Sequence, residues 1–206
     1  MKPSIVTVAI ILEILMVGQS RSQNIPDYKK CLENPDKEFA AICLISAGNA
    51  YGEKGRYKEA EESFREAIKI SPQKWITANA YSSLGMTLGR QEKYTEAIVF
   101  LQKAVKIDPE IGSAWGDLGT IYFKIGELDK AIQAFKRAIT ISTINEIIDN
   151  SYLNLTYIYL IKDDVTNTKQ NYETLRKRNP SLTSRFLSEL KESRDLWERF
   201  QKIQRR

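Results

Sequence analysis

Chemistry in this chain has to be made from a short inventory, because its 206 residues include no histidine and only two cysteines. Without histidine, neither a Ser-His-Asp nor a Cys-His relay can be assembled, and a histidine-ligated metal centre is excluded. Two thiols are too few for a structural zinc site. No phosphate-cradling Gly-x-Gly-x-x-Gly or P-loop spacing occurs either. No enzymatic activity and no cofactor are therefore expected. What the cysteines can do is cross-link. In an oxidising compartment, a bridge between Cys31 and Cys43 would tie IPDYKKC onto the segment that follows, contributing on the order of 3 kcal/mol. In a reducing one, Cys43 reads as a buried thiol and Cys31 as an exposed one. Asn154-Leu155-Thr156 fits a glycosylation sequon, but its helical surroundings argue against use.

The compartment is addressed by the first residues, MKPSIVTVAIILEILMVGQSRS. One early Lys, an apolar run over residues 5–17 and small residues at Gly18, Ser20 and Ser22 predict a secretory signal cleaved after Ser20 or Ser22. The run is too short to span a bilayer as a helix and Glu13 interrupts it. The expectation is a secreted or periplasmic protein, with a membrane-anchored form facing the periplasm as the alternative. Charge is uneven beyond that. From Arg176 to Arg206 there are ten Lys/Arg against four Asp/Glu, while the rest of the chain is near neutral. The tail's cations alternate with Glu189, Glu192, Asp195 and Glu198, as on a solvated helix, which argues against nucleic-acid binding.

Any binding residue must be held by repeated elements. GRYKEAEESFREAIKISP at 55–72 returns as EKYTEAIVFLQKAVKIDP at 92–109 and as GELDKAIQAFKRAITIST at 126–143. Ala60, Ala97, Ala131 and Thr168 share one column. Upstream lie Leu44-Ala47-Gly48-Tyr51, Tyr81-Leu84-Gly85-Leu88, Trp115-Leu118-Gly119-Tyr122 and Tyr152-Leu155-Thr156-Tyr159. Within each half the spacing is i, i+4, i+7 or i, i+3, i+7, one face of a helix. Two such helices per unit, joined at turns such as EKGR and KIGE, predict helical hairpins. Gly48 facing Ala60 would let the backbones approach, with Tyr51 and Phe64 filling the space around them. Ser71-Pro72, Asp108-Pro109 and Asn179-Pro180 suit an N-cap followed by the first helical residue.

These columns resemble the tetratricopeptide repeat (TPR) family. The resemblance implies an all-α, right-handed superhelix of helical hairpins. A signal at 1–22 and an N-terminal segment at 23–40 precede repeats at 41–74, 78–111 and 112–145. A degenerate fourth follows at 149–182, where Thr156 and Thr168 replace the small pair and should hold the helices further apart. Three added residues before the second and fourth units, and a third such addition at 38–40, predict longer first helices, with Phe39, Trp75 and Ile147 or Ile148 covering a neighbour. Residues 183–206 read as one capping helix, its stripe of Phe186, Leu190, Trp197 and Phe200 continuing into an overhanging WERFQKIQRR.

In that family the first helix of each unit lines a concave face that takes an extended peptide or a partner helix. By the resemblance, the groove here is Asn49, Asn79, Ser82, Met86, Arg90, Thr120, Phe123, Lys124, Asn150 and Tyr157. Ile42, Ile45, Glu53, Ser113 and Gly116 lie alongside, and Leu153 and Ile161 are expected to pack on the capping helix. Asn and Ser side chains would bond a backbone, and Met86, Phe123 and Tyr157 would offer apolar contact. The family's clamp for a C-terminal carboxylate is not present. Asn49 matches it, but Ile45, Ser83 and Ser113 do not, and Asp117 places a negative charge where a cation belongs. The expected function is a non-enzymatic, exported adaptor for another protein. The alternative is an assembly or membrane-proximal scaffold that oligomerises through the C-terminal helix.

Overall fold

The computed structural model describes residues 28–205, so the expected signal segment lies outside the described residues. Eleven helices follow one another there, with no strand among the described residues. A short α1 (Tyr28–Leu32) precedes four hairpins. Their first helices are α2 (Lys37–Glu53), α4 (Lys74–Arg90), α6 (Gly112–Lys124) and α8 (Asn145–Ile161). Their second helices are α3 (Tyr57–Ile70), α5 (Tyr94–Ile107), α7 (Leu128–Ile141) and α9 (Val165–Arg178). Two more, α10 (Pro180–Glu192) and α11 (Arg194–Arg205), end the chain. The three units with added residues have first helices of 17 residues, against 13 for α6. Ile147 covers Gly116 of the preceding first helix, but Trp75, expected to do the same, stays 45% exposed.

The hairpins close by fitting a large residue of the second helix onto a glycine of the first. A methyl group at Gly48 would sit 2.6 Å from the Phe64 ring, at Gly85 2.6 Å from Leu101 and at Gly119 2.7 Å from the Phe135 ring. The expected partner of Gly48 was Ala60; the nearest atoms are those of the Phe64 ring, while in the second unit the Ala97 carbonyl does approach Gly85, 3.1 Å from where a methyl group would sit. Ala60 and Ala97 also reach Gly52 and Gly89, one helical turn further along. The aromatic ring takes the hole because it is the larger body, and burying it removes more apolar surface from water. In the fourth unit Thr156 and Thr168 are fully buried, and each hydroxyl donates to its own helix, to the Tyr152 carbonyl at 2.8 Å and the Asp164 carbonyl at 2.6 Å. This pair makes the sparsest contact of the four hairpins. A polar staple offsets the loss. Arg178 Nε donates to the buried Asp149 at 2.7 Å, Arg178 Nη2 to Asn145 at 3.0 Å and Asn179 Nδ2 to Asp149 at 3.2 Å, joining the start of α8 to the end of α9.

All four hairpin turns are the same turn. The N–H groups of Arg56, Lys93, Glu127 and Asp164 donate to the carbonyls of Tyr51, Leu88, Tyr122 and Tyr159 at 2.9–3.0 Å. The preceding residue in each case donates to the carbonyl three back at 3.1–3.2 Å, which completes a Schellman motif. That preceding residue must adopt positive φ, and the four are Gly55 (72°), Glu92 (61°), Gly126 (81°) and Asp163 (55°). Asp tolerates this region, whereas Glu meets the full Cβ clash. Glu92→Gly should therefore raise stability by about 0.5–1 kcal/mol, the relief exceeding the added freedom of the unfolded chain. Urea unfolding at neutral pH checks it, and a lower midpoint contradicts the strain.

The prolines act differently from the expected cap. Asn179 caps α10, accepting from Leu182 N at 2.9 Å with Pro180 at the first turn. Ser71 and Asp108 instead end the preceding helices, and the next ones begin at Lys74 and Gly112. Each accepts from the backbone two residues on, a local turn that competes with helix initiation. At the N-terminus a disulfide joins Cys31 to Cys43, with Cα atoms 5.6 Å apart. It pins α1, five residues long and far too short to hold helical form alone, against α2.

The C-terminal segment is two helices and not the single overhanging one expected at 183–206. The chain turns at Ser193, and α11 folds back so that Phe200 (4% exposed) and Ile203 (1%) are buried with Tyr172, Leu175 and Phe186. A straight helix would have left that stripe in water, at a cost of about 1.5–3 kcal/mol for each large side chain. Breaking one turn of helix costs less.

Candidate partner-binding groove

The first helices α2, α4, α6 and α8 touch their successors in turn, forming one inner layer. Among the described residues no helix is long and apolar enough to cross a membrane, and no group of metal-ligating side chains occurs. Along the layer, Asn49 and Arg90 are exposed, Asn79, Met86 and Thr120 half-buried, and Ser82 buried. Asn79 Nδ2 donates to the Trp75 carbonyl at 2.9 Å, which turns its amide along the helix and leaves the side-chain oxygen as acceptor. Thr120 likewise donates to the Gly116 carbonyl at 3.0 Å. Ser82 reaches between helices, its hydroxyl 3.5 Å from Asp117 of α6. Burial pushes the Asp117 carboxyl up to about 7, while Ser82 and then Arg90 pull the other way. Although part of the residue reaches the surface, its carboxyl is heavily desolvated by α4 and α6. Arg90 extends from α4 towards Gly52 of α2, and Lys124 is exposed at the end of α6.

Asn49, Asn79, Ser82, Met86, Arg90 and Thr120 thus lie on three successive first helices that touch one another, with Ser82 meeting α6 and Arg90 reaching α2. The structure separates two expected members from them. Phe123 occupies the column of Gly52 and Gly89, and it is half-buried against the cluster that Ala131 and Phe135 of α7 form with Leu155, Ile158 and Tyr159 of α8. Tyr157 is held by the end of the chain: its hydroxyl donates to Glu189 at 3.0 Å and its ring meets Phe186 edge-on at 4.8 Å. Its ionisation is pushed well above the ordinary tyrosine range by burial first and the Glu189 bond second. Leu153 is buried beneath the same helices, but Ile161, expected there too, is 39% exposed. Asn150 remains half-buried on α8. The open face therefore runs over the first three units and stops where α10 and α11 close the fourth. Asp117 was recognisable as a misfit to a carboxylate clamp; its bond to Ser82 could be found only once α4 and α6 were side by side.

An array of this kind is a protein–protein interaction module. Residues 42–74 and 76–144 each match the tetratricopeptide repeat family, and the chain belongs to that family. No curated protein matches it in sequence. Among solved structures it is similar to BtubC from P. vanneervenii, with 18% identity, a TM-score of 0.66, and 84% of this chain and 81% of that one covered. MamA gives 24% identity, a TM-score of 0.62, and 78% and 89% coverage. YrrB, described as a TPR protein with an unusual peptide-binding site, gives 21% identity, a TM-score of 0.59, and 89% and 87% coverage. At these identities the likeness is one of fold.

Proposed function

We propose that this protein is an exported adaptor that does no chemistry and holds an extended segment of another protein along α2, α4 and α6. The observation that carries the reading is the inner face itself. Hydrogen-bonding side chains at Asn49 and Asn79 stand on the same layer as a half-buried Met86, while Phe123 and Tyr157 are already packed. Polar groups of this kind fix the register of a peptide backbone, and an adaptable thioether covers its side chains. YrrB, with its peptide-binding site, offers a precedent on the same fold. Export rests on the signal-like N-terminus together with the Cys31–Cys43 bridge, since structural disulfides persist in oxidising compartments.

A photoreactive residue tests both halves in cells. Placed at Met86 it should form adducts with a partner on illumination; placed at Val99, exposed on α5, it should form few or none. Equal adducts from both positions, or adducts from Val99 alone, defeat the groove. The recovered protein should begin at Arg21 or Gln23 by mass, and an intact N-terminus would remove the claim of cleavage. The scaffold alternative, which needs Trp197, Phe200 and Ile203 to face a second copy, is less favoured because Phe200 and Ile203 are buried within the same chain, with Trp197 half-buried beside them.

A further inference from the structure

On α6, facing Ser82 of α4, lies a carboxyl that no described residue neutralises at close range. Asp117 receives one hydrogen bond, from Ser82 at 3.5 Å, the outer limit for such a bond. An ionised carboxylate offers about four acceptor positions. Among the described residues every fully buried side-chain oxygen and nitrogen has a partner. The second oxygen of Asp117 has no described partner and is therefore not fully buried, on a residue that is itself half-buried. Arg90 acts on the charge from a distance, without a described ion pair between them. The carboxyl is therefore starved of water by the helices that flank it and yet reachable from the face where a partner would lie.

We infer that Asp117 is the docking point for a cationic side chain, so that the segment bound in the groove carries Lys or Arg at one fixed position. This rests on the groove reading above and names the chemistry of its occupant. A cation arriving here meets a charge already stripped of solvent, where attraction is stronger than at an open surface. Arriving at the groove, it supplies the donors the second oxygen lacks. Ser82, beside it, fixes the direction of approach. Met86, one turn along α4 from Ser82, gives the aliphatic stem of Lys or Arg an apolar wall. An acidic segment or a free C-terminus would be repelled.

The test is selection from a bead-bound library of random nonapeptides by the purified protein and by Asp117→Asn, which removes the charge and keeps the shape. Wild type should enrich peptides with Lys or Arg at one position, and Asp117→Asn should lose that preference. A selected peptide should bind the variant about tenfold more weakly or worse, as expected for one charged hydrogen bond. Enrichment without a basic preference, or the same preference in both proteins, overturns the cationic occupant and leaves the groove standing. No enrichment by wild type overturns both. A circular dichroism melt of Asp117→Asn at or above that of wild type shows that the variant is folded.

Discussion

Replacing Phe200 with alanine should cost about 3–5 kcal/mol, the range for emptying a buried aromatic site, and the damage should begin at one end of the molecule. The Phe200 ring sits edge-on to Tyr172 at 5.0 Å and to Phe186 at 5.7 Å, and stacks on Trp197 at 6.2 Å. Four aromatic rings from α9, α10 and α11 thus share one contact. Helix α11 has twelve residues, marginal for an isolated helix in water, so its order depends on that contact. Stability in a repeat array is carried by each unit and its neighbours, and loss at one end need not spread at once. Hydrogen exchange should accelerate first in α10 and α11, then in α8 and α9, with α2 to α5 protected until global unfolding. A loss under 1 kcal/mol, or uniform acceleration along the chain, would mean that the C-terminal pair is not what closes the stack.

The hairpins were legible because each depends on local matters: apolar positions at helical spacing and, in the first three units, a glycine on the first helix; that a Phe or Leu side chain is what sits on that glycine emerged only from the packing. The features that sequence alone misplaced depend on what lies across a contact. Phe186, Leu190, Trp197 and Phe200 would line one side of a straight helix, and Ser193 is a weak breaker. Only the extent of the fourth unit, which offers nothing to the last turns of a straight helix, dictates the fold-back. Phe123 could have been placed from the columns, since Gly52 and Gly89 stand at the matching positions of earlier units, and a large residue there must push into the next repeat. Tyr157 could not, because its partner Glu189 is 32 residues away on a helix outside the repeat pattern. The Asp117–Ser82 contact was likewise hidden, spanning 35 residues between two helices whose register is set by packing.

Asp117 should also make the protein less stable as pH rises from about 4 to about 7. Burial lifts its carboxyl from 3.8 to about 7 in the folded protein, while the unfolded chain keeps the ordinary value. Between those two values the folded state holds a proton that the unfolded state has released. Stability is therefore greatest below the unfolded value and falls as pH climbs through the folded one. A shift of roughly three units sets a ceiling of about 4 kcal/mol, reduced in practice because the groove admits water. The carboxyls of Asp164 and Glu59 are held low, by hydrogen bonds from Asn167 and Arg56 respectively. Their contributions are lost only as pH falls below the usual carboxylate range, so they slope the other way and outside this window. Asp117→Asn should flatten the profile, matching wild type near pH 4.5 and exceeding its urea midpoint at pH 8. If the two profiles run parallel from pH 5 to 8, the carboxyl is ionised and solvated throughout. A carboxylate that comfortable in water would have no need of an incoming cation. The stability profile and the peptide selection therefore probe one physical property, the unmet solvation of Asp117, by two independent routes.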